Sequence, residues 1–234
     1  MRGDEYAFFN EVYGSPYFFS APSYQALAPR TIELQHIYRQ EDEAFKTVLN
    51  KIRLGLQTPE DLQLINQRCQ HKPRGKTHAI TLVTTNADAD KINQQQLARL
   101  KTPLYQSQAL IQGEVPASMY MNDPSANFKP GAQVMMLVNG PGYNNGSLGT
   151  IVSYDPVEEY AIVEINGEEY DIRQHKREIR KPSYDKAEKT IVNEVVGTFS
   201  QLPFKLARAI TIHKSQGKTF EQVVVDFGKR VFSK

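Results

Sequence analysis

What this 234-residue chain lacks narrows its possible functions before any motif is read. It has no tryptophan and one cysteine, Cys69, so no disulfide framework can form within it. No apolar run approaches the roughly 20 residues that cross a bilayer, and no basic segment followed by an apolar run opens the chain as a secretory leader would. Cytoplasmic residence is expected, or nuclear or mitochondrial residence in a eukaryote, with no membrane partner. An excess of one charge sign is missing too. Twenty-eight Lys and Arg against 26 Asp and Glu leave +2, so any contact with a polyanion must be local. His36, His71, His78, His175 and His213 show no His/Cys ligand spacing, and no metal site is expected. There is no G-x-x-x-x-G-K-[ST] loop to cradle the β- and γ-phosphates of a nucleotide, and no Asp-Glu pair after a buried strand to hold magnesium. Alone, the chain is not expected to hydrolyse ATP.

What is present is an ordinary globular composition, 40% hydrophobic and 23% charged, enough for one or two domains with a real core. The opening Met1–Arg30 is rich in aromatics and prolines and predicts a short helix with an irregular arm. Thr31–Ile37 alternates as a strand, and Phe45, Val48, Leu49, Ile52 and Leu54 recur at helical spacing until Gly55. Thr58-Pro59-Glu60-Asp61 has the form of an N-cap, a proline at N1 and an acidic first turn, predicting a helix over Pro59–Arg68. Ala79–Thr84 reads as a buried strand and Ala87–Lys101 as the helix that follows it. Repeated strand-then-helix units predict an α/β fold, a parallel sheet with helices on its faces.

Between Phe128 and Ile179 the texture changes to short strands, Gln133–Val138, Leu148–Tyr154, Tyr160–Ile165 and Glu168–Arg173. Tight-turn pairs such as Asn145-Gly146 and Asn166-Gly167 separate them. Such a run predicts a small β-barrel. Longer apolar segments return at Ile191–Val196, Ala207–Ile212 and Val223–Phe227, so a β insert interrupts the α/β domain.

The most informative stretch is Ile210–Gly228, ITIHKSQGKTFEQVVVDFG, which predicts strand, polar loop, strand. Thr211, His213, Lys214, Ser215, Gln216 and Gly217 supply hydroxyl, imidazole, ammonium and backbone donors of the kind that hold phosphate oxygens. Thr84-Thr85-Asn86, at a strand end before a helix, can do the same, while Asn86 or Asp88 can equally cap that helix. Arg39, at the exit of a predicted strand, sits where open α/β sheets bind ligands; position alone favours an ordinary arginine pairing with Glu41, Asp42 or Glu43.

Taken in order, IELQHIYRQ, TLVTTNADADKIN, PGAQVMMLVN with NGSLGTIV, and QLPFKLARAITIHKSQGKTF resemble the C-terminal part of a superfamily 1 DNA helicase of the petite-integration-frequency (PIF) family, related to RecD. The resemblance implies a second RecA-like domain over 1–126 and 183–234, with helices on both faces of its parallel sheet, and an SH3-like barrel inserted at 127–182. It implies an ATP-dependent motor that moves 5′ to 3′ on single-stranded DNA and unwinds duplexes. ATP with Mg2+ would sit between two RecA-like domains of the longer protein, with no cofactor bound to this chain alone. Arg39 would be the catalytic arginine that reaches the γ-phosphate, and Gln40, Gly217, Lys218 and Thr219 would lie at the nucleotide. Thr85 and Asn86 would hold a DNA phosphate, while Thr211, His213, Lys214 and Ser215 would contact the strand. The implied partners are single-stranded DNA, DNA forks and a first RecA-like domain expected before Met1, the protein acting as a monomer. A further motif with a second phosphate-binding arginine is expected after Lys234.

Overall fold

The computed structural model describes residues 3–33, 42–67, 79–185 and 190–228, and the chain divides into two units, Met1–Cys69 and Gln70–Lys234. The first unit is helical. After α1 (Gly3–Tyr13), a 3-10 turn at Phe18–Ser20 and α2 (Pro22–Leu27), the aromatics pair among themselves, Tyr17 stacked on Phe19 at 5.2 Å and Phe18 edge-on to Tyr24 at 5.1 Å, while Tyr17, Phe18 and Phe19 remain exposed. In α3 (Glu43–Leu54) Asp42 accepts from the Phe45 N–H at 3.0 Å, and Gly55 ends the helix at φ 71°, a left-handed conformation that glycine adopts without penalty. In α4 (Pro59–Asn66) Thr58 and Asp61 form the capping box that their spacing predicts. Lys51 pairs with Asp61 at 2.9 Å and ties α3 to α4. The strand expected over Thr31–Ile37 lies mostly outside the described residues.

The second unit holds a three-stranded parallel sheet in the order β12-β1-β13, from β1 (Ile80–Val83), β12 (Ala209–Thr211) and β13 (Val223–Asp226). Alternation assigns the two faces of this sheet. Val83 and Ala209 pack with Ala89 and Ile92 of α5 (Asn86–Arg99), whereas Ile80, Leu82 and Ile210 meet Met135, Leu148 and Phe220. Within this unit one face therefore carries a helix and the other a β-sheet, where helices were expected on both. That second layer was hidden because its partners lie more than 50 residues away in sequence.

The remaining sheets are antiparallel. β2 (Tyr105–Gln108) pairs with β4 (Ser125–Phe128), and β3 (Leu110–Gly113) with β10 (Thr190–Gln201), which pairs along its length with β9 (His175–Asp185). A five-stranded sheet runs in the order β11-β5-β6-β7-β8, from β5 (Gln133–Met136), β6 (Leu148–Asp155), β7 (Tyr160–Ile165), β8 (Glu168–Ile172) and β11 (Phe204–Leu206). All five strands contribute side chains to one core, including Met136, Ile151, Val163, Ile172 and Phe204. Among the described residues β8 and β11 are nonetheless its two edges, and no hydrogen bonds between them close it into the predicted barrel. Asn166 at φ 54° and Gly167 at φ 84° make the two-residue turn between β7 and β8 that Asn-Gly predicts. Antiparallel pairing continues past residue 182, where the sequence pattern ended the insert, because β9 crosses that position to pair with β10 and β11 then rejoins the sheet.

Candidate nucleic-acid and nucleotide interface

Parallel pairing sets the site. Val83 is in register with Thr211 on one side and Asp226 on the other, so the carboxyl ends of all three strands reach one edge together. Open α/β sheets bind ligands at such an edge, where the following loops and helix N-termini leave backbone N–H groups unpaired. Thr84, Thr85 and Asn86 leave β1 there, and Thr211 to Ser215 leave β12 beside them.

The local structure at both exits is capped. Thr85, rather than Asn86 or Asp88, is the N-cap of α5: its Oγ1 accepts from the Asp88 N–H at 3.1 Å and donates to Asp88 Oδ2 at 2.6 Å. Its hydroxyl is thus committed to Asp88, while Asn86 is exposed at the first helical position. The segment after β12 begins with a helical turn, α6 (Ile212–Ser215), where a loop was expected. Thr211 caps it weakly, accepting from the Lys214 N–H at 3.4 Å, and Ser215 Oγ donates to the Ile212 carbonyl at 2.7 Å. This is the tendency of Ser and Thr hydroxyls to bond nearby backbone, which the polarity of the segment concealed.

After α6 the chain turns sharply. Gly217 adopts φ 79° in open space, and the Lys218 N–H closes the turn on the Ser215 carbonyl at 3.0 Å. Lys218 Nζ donates to Asn145 Oδ1 at 3.0 Å, and Asn145 is itself anchored to the Leu137 carbonyl, so this lysine links the turn to the β5–β6 loop.

A cleft of about 510 Å³ collects part of the predicted set: Asn86, Thr211 and Lys214 line it, whereas Thr85, His213, Ser215, Gly217 and Lys218 do not. Thr219 lines a separate depression with Gly146 and Asn166. His213 is exposed. Arg39 and Gln40 lie outside the described residues.

Two residues in the cleft wall carry a signal not read from the sequence. Lys205 is half-buried, and burial, followed by the charges of Lys214 and Lys218, lowers its pKa to about 8. Its mark in the sequence was a single lysine between Phe204 and Leu206. Asn122 donates to the Leu202 and Phe204 carbonyls at 2.8 and 2.9 Å, which leaves its buried Oδ1 without a partner. Among the described residues no three His, Cys, Asp or Glu side chains gather as a metal site.

No protein-family model matches the chain. It is 28% identical over 226 residues to the human ATP-dependent DNA helicase PIF1, a match that covers 92% of this chain and 33% of that protein. Bacteroides sp Pif1 in complex with ADP-AlF4 is similar in structure, with a TM-score of 0.80, 29% identity and coverage of 96% of this chain and 52% of that one. Bacteroides Pif1 bound to ssDNA matches with a TM-score of 0.62 and 28% identity over the same shares. The match spans between 27% and 52% of the length of the curated relatives, and the matched part is their C-terminal portion.

Proposed function

We propose that this chain, similar over 92% of its length to the C-terminal portion of PIF1 helicases, is the second RecA-like domain of an ATP-dependent DNA helicase. In this reading the sheet of β5 to β8 and β11 is its SH3-like insertion. The observation that carries it is the common edge at which three parallel strands present Thr84-Thr85-Asn86 and Thr211 to Ser215. Similarity to two structures of Bacteroides Pif1, one in complex with ADP-AlF4 and one bound to ssDNA, supports the same reading.

The edge suits a single strand held by its backbone. The Asn86 amide, the Thr211 hydroxyl, the Lys214 ammonium and the free N–H groups of the first turn of α5 are donors for phosphate oxygens. His213 and Ser215 flank them. Contacts of this type carry little sequence information, so binding is sequence-tolerant and weakens with salt. Thr85 would join a phosphate by releasing Asp88.

ATP with Mg2+, bound in the longer protein between this domain and a first RecA-like domain, would supply the free energy that alternates tight and loose grips on the strand. The residues here fit one wall of such a site. The open turn at Gly217 admits phosphate oxygens close to backbone, and Thr219 is exposed beside it. Lys218 contributes only by leaving Asn145. Gln40 would lie at the nucleotide, and Arg39 would place its guanidinium on the γ-phosphate and stabilise charge in the transition state. Movement is 5′ to 3′, toward a DNA fork, with a monomer as the working unit, and this segment alone has no turnover.

The test is single-strand-stimulated ATPase of the full-length parent, wild type against Arg39→Ala. Turnover falls about 10³-fold with DNA binding retained if Arg39 acts across the domain interface. Unchanged turnover rejects that role, and a wild type without ATPase rejects the motor in favour of a binding module.

A further inference from the structure

β11 places Phe204 and Leu206 against the core of the five-stranded sheet. Lys205 therefore projects from the opposite face, beside Met135, its partner in register, where that sheet meets Ile80 and Ile210 of the parallel layer. Lys205 and Lys214 both line the cleft. Among the described residues neither Lys205 nor Lys214 has a carboxylate within 4.0 Å, and Lys218 donates to a neutral amide. The other titratable groups in the cleft wall are Asp90, Asp123 and Tyr120, and no ion pair joins either carboxylate to Lys205.

A half-buried ammonium crowded by two others destabilises the fold unless something neutralises it. The missing counter-charge is an anion that can meet several cations in a row. A strand backbone entering past Asn86 and Thr211 provides one. The orphan Oδ1 of Asn122 in the same wall is an acceptor awaiting a donor, which phosphate lacks and a base amino group has.

We propose that Lys205 contacts a backbone phosphate of the strand bound in this cleft, an inference that rests on reading the strand edge as a single-stranded DNA interface. Phosphate favours the charged ammonium, so binding takes up a proton where free Lys205 is neutral. With a free pKa of about 8, Lys205 is charged at pH 7 and mostly neutral at pH 9, and affinity falls as pH rises through that window.

Anisotropy of a labelled oligothymidine titrated with this chain tests the proposal, using wild type, Lys205→Gln, Lys205→Arg and, as a control, Lys91→Gln, which alters a different depression beside α5. Lys205→Gln weakens binding about tenfold and reduces the slope of log affinity against log salt by about 0.7. Lys205→Arg binds as wild type at pH 7 and loses the decline toward pH 9, and Lys91→Gln changes neither. The arginine profile decides the matter if the glutamine variant does not fold. Wild-type affinity in Lys205→Gln, or an unaltered decline in Lys205→Arg, overturns the role of Lys205 and leaves the DNA interface standing. A wild type that does not bind the oligonucleotide overturns both.

Discussion

Replacing Asn93 with alanine tests how the site is held in place. Among the described residues β12 is an edge strand of the parallel sheet, with β1 on one side and no strand paired on the other. Asn93, buried on α5, takes that position: its Nδ2 donates to the Ala209 carbonyl at 2.9 Å and its Oδ1 accepts from the Ala209 N–H at 2.9 Å. One side-chain amide thus bonds Ala209 as the peptide of a neighbouring strand would and fixes β12 against the helix two residues before Thr211. Alanine leaves two backbone groups unpaired, and a buried unsatisfied group costs about 1–3 kcal/mol. Clefts border Asn93 on both sides and admit water, so the lower half of the sum applies, about 2–4 kcal/mol. The assay is amide hydrogen exchange at Ala209 and its neighbours, with urea unfolding followed by circular dichroism. Exchange at Ala209 accelerates at least about thirtyfold, the equivalent of 2 kcal/mol, and the unfolding midpoint falls. A change under about threefold would refute the argument that the side chain closes the sheet edge.

Two further outcomes follow from the geometry. Gly149 on β6 has no room for a side chain, since a Cβ there would stand 2.7 Å from the Glu164 carbonyl oxygen and from Val163 Cγ1; Gly149→Ala destabilises the five-stranded sheet by about 1–3 kcal/mol in urea unfolding, and a neutral result would contradict that packing. The Thr58 N–H, then Lys51, holds the Asp61 carboxyl below its ordinary 3.8. A depressed folded pKa means a contribution present above the ordinary carboxylate range and lost as pH falls through the lowered value, so acid titration of the helical signal shows a step below pH 4 that Asp61→Asn removes.

Much of the local structure was legible because it depends on neighbours in sequence. Thr58 and Asp61 cap a helix three residues apart, Gly55 ends one by its own backbone freedom, and Asn166-Gly167 turns a hairpin whose strands flank it directly. Motif order placed the chain beside the PIF-type helicases, a resemblance that structural similarity over 96% of its length supports. Polarity marked Thr211 to Ser215 as unusual without showing that the segment starts as a helical turn.

Tertiary structure decided whatever depends on distant pairing. β1 lies between strands that follow it by more than 120 residues, and that register alone brings Thr85 and Thr211 to one edge. β11 rejoins β5 from nearly 70 residues away, so a lysine that reads as one charge in an apolar run becomes part of a three-lysine cluster. Asn93 and Asn122 look like ordinary polar residues until the backbone groups they bond are in place. Sequence determines the propensities of segments and the chemical groups they carry. Which groups share a cleft, and which charges lack a counter-charge, depends on long-range strand pairing, because only the folded chain brings those groups within interaction distance.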